Sequence, residues 1–338
     1  MDAEIWQQLL SFESRDVISR WFEKIHGRQL SARRAKEINA AAKQAREYFR
    51  NASSADYSVR PLLTFYGVAS LSRSLLLLLQ SHNGEEVLTK GHGLETVGWS
   101  SVITDANGLS NALDLKVKTC GGLFYDLLVR TKNRTSIHVR SSAVDWRISY
   151  DVPESGDEIS LGDLFARIPD LEKDYEHASD DAKYAWVHDV TFNPEAGFTV
   201  RVNDKNFLKF KEVYDACGYT SVSENGMYAV TGDAKIFESQ LPLFIHTYIQ
   251  KNFGAIPRLY LTSPFQSGAR YSQLCITYIV SYIIGMLVRY YPTQWISLIQ
   301  GEKGDKWWPS INRAQQFVEK SYPELVVELL MDILNTQL

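Results

Sequence analysis

The chain lacks the short motifs that most often announce a chemistry. Its three cysteines, Cys120, Cys217 and Cys275, are far apart and odd in number. No CxxC pair exists, so neither a zinc site nor a disulfide framework is indicated, and buried free thiols in a reducing compartment are the plain reading. There is no GxxxxGK[ST], no GxGxxG behind a strand, no HExxH and no GxSxG. Positive charge is not in excess: 36 Lys and Arg face 40 Asp and Glu, for a net charge of -4. Any contact with nucleic acid would therefore rest on a local patch. No apolar run reaches the roughly 20 residues of a membrane span. The longest, Leu274 to Val288, is interrupted by Thr277, Ser281 and Gly285 and bounded by Arg270 and Arg289, which marks a core helix. The N-terminus, Met1-Asp2-Ala3-Glu4-Ile5-Trp6, carries acids and has no basic, apolar leader. The expectation is a cytoplasmic protein with no membrane association. No internal repeat or low-complexity segment occurs.

What is present is helical at both ends. Residues 4–26 carry apolar side chains at helical spacing, with Gly27 placed as a C-cap. Ser31 is placed to cap a helix running to about Asn51, with a basic face of Arg33, Lys36, Lys43 and Arg50. Glu37 and Glu47 lie beside that face, so it reads as solvated surface. Pro61 suits the first turn of a third helix, apolar nearly all round to about Leu79, which belongs at the centre of a bundle. At the other end, one helix runs from Ser272 to Tyr291, a second holds Trp295 to Ile299, and two more span Ile311 to Ser321 and Pro323 to Leu338.

The middle alternates in the manner of half-buried strands at Ser136–Arg140, Trp146–Tyr150, Phe198–Val202, Tyr219–Val222, Met227–Val230 and Arg258–Leu261. Asn225-Gly226 is a hairpin signal. Ser160 would cap a short helix, and Asn206 to Asp215 reads as another. The fold class is α+β: N- and C-terminal helices form one bundle, and a mixed, partly β middle is inserted. The expected division is 1–94, 95–271 and 272–338.

Ordered landmarks carry a resemblance to a family. They include Ala45-Arg46-Glu47-Tyr48-Phe49, Arg60-Pro61-Leu62-Leu63, Phe65-Tyr66-Gly67, Gly91-His92-Gly93-Leu94 and Gly121-Gly122-Leu123-Phe124. Ser160-Leu161-Gly162-Asp163-Leu164, Ile168-Pro169-Asp170-Leu171, the segment Gly285 to Trp295 and Tyr322-Pro323-Glu324-Leu325 follow. Together they resemble the YaaC-like proteins. That resemblance implies a bacterial-type cytoplasmic protein and names no reaction. A second resemblance, in Phe65-Tyr66-Gly67-Val68-Ala69 and Arg73-Ser74-Leu75-Leu76, is to the helix hairpin of HEPN proteins. These are helical bundles, often dimeric, and many cleave RNA without metal through an Arg followed at four to six residues by a His. Arg20 and His26 have that spacing. They lack the polar residue that commonly follows the Arg, since Trp21 is there, and they lie before the hairpin rather than in it.

Several side chains stand out as candidate ligand contacts. His92 lies between two glycines in a turn-like loop, as a base or anion donor, or merely as a cap. Arg73 and Arg289 lie in strongly apolar helices, where a charge must reach water, meet a carboxylate or bind an anion. If the two central helices are neighbours, His92 and Arg289 converge at one edge of the bundle. Arg130, Lys132, Arg134, Arg140 and Arg147, with His138 and Trp146, form a positive cluster suited to single-stranded nucleic acid or to an ordinary strand surface. His177, His188, Asp180, Asp181 and Asp189 show no ligand spacing and read as a solvated loop, so no metal and no cofactor are expected. The favoured expectation is a binding or interaction protein, with a protein partner or a second copy, in a bacterial defence or stress setting. A metal-independent ribonuclease and a nucleotide or small-anion sensor are the alternatives, with RNA or a nucleotide as ligand.

Overall fold

In the computed structural model, four helices lead the chain: α1 (Ala3–Leu9), α2 (Arg15–His26), α3 (Ala32–Ser54) and α4 (Arg60–Leu79). Strands β1 (His92–Val97) and β2 (Lys116–Gly122) precede α5 (Leu123–Arg130). Then come β3 (Arg134–Val139), β4 (Val144–Ser149), β5 (Glu158–Ser160), β6 (Tyr184–Asn193), β7 (Gly197–Asn203), β8 (Thr220–Glu224), β9 (Met227–Gly232) and β10 (Leu259–Thr262). Helices α6 (Gln273–Tyr290), α7 (Pro292–Ile299) and α8 (Trp308–Thr336) close the chain, and short helical turns join the longer elements. The structure describes all residues except 1, 105, 140–143, 177, 180, 194, 196, 210, 217, 234–258 and 337–338. Two units result. One holds Met1–Asn133, Val152–Gly162 and Leu274–Leu338; the other holds Arg134–Asp151 and Asp163–Gln273.

The first unit is built around α4. Local signals place its ends and those of its neighbours. Ser31 Oγ accepts from the Arg34 N–H at the start of α3, and Pro61 sits in the first turn of α4. Gly27 takes a left-handed φ of 65° and closes α2. Two glycines let neighbours approach α4 closely. A β-carbon on Gly67 would stand 2.7 Å from the Phe49 ring of α3. One on Gly285 of α6 would stand 2.7 Å from Phe65 Cβ. The N- and C-terminal helices therefore pack together in one body. Both α4 and α6 are long and apolar enough to cross a membrane, yet 67% and 89% of the apolar window is buried inside the protein. That is how core helices behave.

Helix α8 is also anchored to α4. Glu319 accepts from Arg60 (Nε at 2.7 Å) and from Thr64 Oγ1 at 3.1 Å, while Gln315 Nε2 donates to Thr64 Oγ1 at 2.6 Å. Tyr322 and Ser72 share a buried hydroxyl pair. These contacts explain a departure from the sequence reading. The expected break at Pro323 does not occur, and α8 runs through it. Proline removes one backbone bond, but the residues just before it are pinned on α4, so the helix continues. A small sheet, β1-β2-β5, completes the unit.

The second unit holds the hairpin β3-β4 and an antiparallel five-stranded sheet in the order β10-β6-β7-β9-β8. Its core gathers Ile148, Phe198, Val200, Val202, Tyr214, Val230 and Leu261. Asn225 (φ 52°) and Gly226 (φ 79°) turn β8 into β9, as the sequence signal requires. Four strands were not expected, β1, β2, β5 and β6, and two of them show why. β2 contains the glycine pair Gly121-Gly122, and β6 covers residues read as solvated loop. In β6, Tyr184 and Ala185 are buried while His188 and Asp189 are exposed, so two polar residues mask a strand whose start is covered. The helix expected over 206–215 is two short helices, Asp204–Phe207 and Lys211–Asp215.

Candidate functional site

His92 does not sit in a loop. It opens β1, opposite Gly122, and the register slips between His92 and Leu94. Two tyrosines one turn apart on α6 hold this strand by its carbonyls. Tyr278 Oη donates to the His92 carbonyl at 3.1 Å, and Tyr282 Oη donates to the Leu94 carbonyl at 2.9 Å. The His92 ring then lies against aromatic edges, with its centroid 5.0 Å from Phe65 and 5.9 Å from Tyr282. It is half-buried, and its ring makes no hydrogen bond among the described residues. Burial lowers its pKa, and the Arg289 guanidinium lowers it further. The imidazole is therefore neutral at pH 7. Burial likewise pushes the Tyr282 hydroxyl up to about 12, so it stays protonated and donating.

Arg289 ends α6, exposed, where a cation suits the helix dipole. Its Nη1 donates to Tyr66 Oη at 3.1 Å, and its guanidinium lies 5.1 Å from the centroid of Tyr290, itself 59% exposed. No carboxylate pairs with Arg289 among the described residues. The structure thus brings His92 and Arg289 close enough for one to perturb the other, beside Tyr66 and Tyr290. Sequence reasoning missed those two tyrosines, because only the packing of α4 on α6 gives them their place. A fixed guanidinium next to a neutral ring with N–H and N faces can hold an oxyanion.

The other candidates lie elsewhere. Arg73 is seven residues beyond Tyr66 on α4, about 10 Å further along the axis. Its Nε is 3.4 Å from Glu85 Oε1. Arg20 is exposed on α2, whereas His26 lies about 240° further round that helix. His26 Nε2 is 2.9 Å from the Leu78 carbonyl, so that nitrogen carries the proton, and the ring packs 4.3 Å from Phe22. Arg20 and His26 do not share a face within one chain. Arg130 and Lys132 are exposed in the first unit. Arg134 opens β3 in the second unit, Arg147 pairs in register with Ser136, and Arg140 lies outside the described residues. His177 and Asp180 also lie outside them, while Asp189 pairs with Arg201 at 3.0 Å and Asp181 with Lys183 at 3.6 Å. Among the described residues no three His, Cys, Asp or Glu gather as a metal-binding group.

Comparison with known proteins gives one relationship. The YaaC-like protein family matches residues 10–330, nearly the whole chain. Neither a curated protein nor a solved structure matches it. The chain belongs to the YaaC-like protein family.

Proposed function

Starting from membership of a family whose name carries no reaction, we propose that this protein is a binding module. Its helical unit takes a small phosphate-bearing ligand, such as a nucleotide, at the edge formed by β1 and the end of α6. One observation carries the reading: among the described residues, a half-buried imidazole without a hydrogen bond stands beside a guanidinium without a carboxylate. A polar group left unsatisfied in a half-buried place costs stability unless something completes it. A phosphate oxygen does so, accepting from Arg289 and from the His92 ring N–H. Tyr290 offers an exposed aromatic face for a planar base.

The test is calorimetric titration of the full chain with inorganic phosphate, with AMP and with ATP. Arg289→Ala is expected to weaken binding at least about tenfold, the worth of one charge-assisted contact. Its unfolding temperature should stay near that of the parent, because the side chain is exposed. Undiminished affinity in Arg289→Ala, or a large fall in stability, would sink the proposal.

A further inference from the structure

A second site lies at another place on the helical unit, where α2 ends, α3 begins and the chain leaves α4. A cavity of about 340 Å3 opens there, walled by Arg28, Ser31, Arg33, Arg34, Asn83 and Glu86. We propose that this cavity binds the dianionic phosphoryl group of a small phosphorylated molecule, with Arg28 and Arg34 as its principal contacts.

The charge arrangement supports this. Arg28 and Arg34 both stack on one ring: their guanidinium carbons lie 5.7 and 5.1 Å from the Phe22 centroid. Two like charges around one ring repel each other, and an anion beside them relieves the repulsion. Neither forms an ion pair with a carboxylate among the described residues, and Glu37 and Glu86 act on Arg34 only from further off. Arg34 is only 5% exposed, and its Nε and Nη2 donate to the Leu77 and Gln80 carbonyls. Those are neutral acceptors that cap α4, and only the more distant Glu37 and Glu86 offset part of the charge. Arg28 Nη1 meets His82 Nδ1 at 2.9 Å, which makes that nitrogen an acceptor and adds no negative charge.

The acids of the wall are already engaged. Arg33 takes both Glu37 (2.9 Å) and Glu86 (2.7 Å). The same carboxylates also accept the backbone N–H groups of Glu85 at 3.1 Å and Gly84 at 3.2 Å. The start of α3 adds the positive end of a 23-residue helix with no acid in its first turn. The surroundings register the neighbouring cations: burial and then Arg28 lower Arg34's pKa, with Glu37 and Glu86 opposing them, and burial lowers that of His26, with lesser contributions from Arg34, Arg28 and His82. Volume fits the class, because pockets for small ligands begin at about 300 Å3.

Titration calorimetry of the full chain in chloride buffer tests it, with inorganic phosphate in one arm and glycerol 3-phosphate in the other. Saturable binding of the monoester is expected. Arg28→Ala, an exposed position, should weaken it at least about tenfold. Glu86→Gln should tighten it, by removing one of the two negative charges in the cavity wall. Arg15→Ala, which removes an exposed cation of α2 outside the cavity, should leave it unchanged, which separates the site from a general loss of positive charge. Four results would overturn the proposal: no saturable binding of the monoester, equal affinity in Arg28→Ala, weaker binding in Glu86→Gln, or loss in Arg15→Ala.

Discussion

The two ends of α4 treat positive charge in opposite ways. At its start, Arg60 meets a carboxylate, Glu319, that is also held by Thr64 and Gln315. Charge and counter-charge close on each other between two helices. At its end, Arg34 and His26 hold three carbonyls, those of Leu77, Leu78 and Gln80, and the Arg34 charge has no ion pair among the described residues. Only the second satisfies backbone groups of the helix end, since the start of α4 has no side-chain cap. Only the second leaves a positive field that an outside anion can use. A cation that is fully paired is architecture, whereas one that has donors engaged but charge uncancelled is available for binding.

Breaking the paired end should have the larger effect. Glu319→Ala strands Arg60 in a mostly buried place, and the expected loss is about 3–5 kcal/mol, the range for removing one partner of a buried pair. Chemical denaturation, followed by a probe in the helical unit, reads it. A loss under about 1 kcal/mol would make this pair no better than a surface one.

At the other end, Arg34→Ala uncovers the carbonyls of Leu77 and Gln80. About 1–3 kcal/mol is expected for each acceptor left dry, less whatever water recovers. The same variant should lose phosphate-monoester binding, which Glu319→Ala, where it folds, should keep. Retained binding in Arg34→Ala would erase the contrast between the ends.

The smallest effect sharpens the comparison through pH. Burial lowers the pKa of both His26 and His92 from 6.5 in the folded state. The unfolded chain then binds protons that the folded chain refuses, so stability rises with pH in this range. Their contribution is fully present above about pH 6.5 and is lost as pH falls toward the lower folded values. His26→Gln keeps a donor for the Leu78 carbonyl and removes the titration. The slope of unfolding free energy between about pH 5 and 7 should flatten in that variant and flatten again with His92→Gln. An unchanged slope in both would mean that the rings are not desolvated.

Much of the helical unit was legible in the sequence because its signals are local. Pro61, Gly27, Ser31 and Pro292 mark ends, and a helix apolar on every side has nowhere to go but the centre. Pro323 misled for the same reason: the local rule is sound, and the tertiary anchors at Glu319 and Tyr322 override it. β6 was hidden because its exposed face carries His188 and Asp189, which look like loop residues when the covered face is not known. His92 and Arg289 could be singled out as odd residues in apolar company. Their companions Tyr66 and Tyr290 could not, since nothing near them in the chain sets them apart. Arg34 is the clearest case. It stands in Arg33-Arg34-Ala35-Lys36, a run that reads as solvated surface, and only the helix phase separates the buried guanidinium from its exposed neighbours.

Gly67 and Gly285 set a rule of exchange. Each faces a phenylalanine across a helix contact, Phe49 and Phe65. At each contact the volume belongs to the pair rather than to either residue. A methyl group added on the glycine side must be given back on the ring side, so Gly67→Ala should be tolerated with Phe49→Leu and resisted without it. Family members that differ at one of these positions are expected to differ at its partner, and the helix spacing around α4 is what such paired changes would preserve.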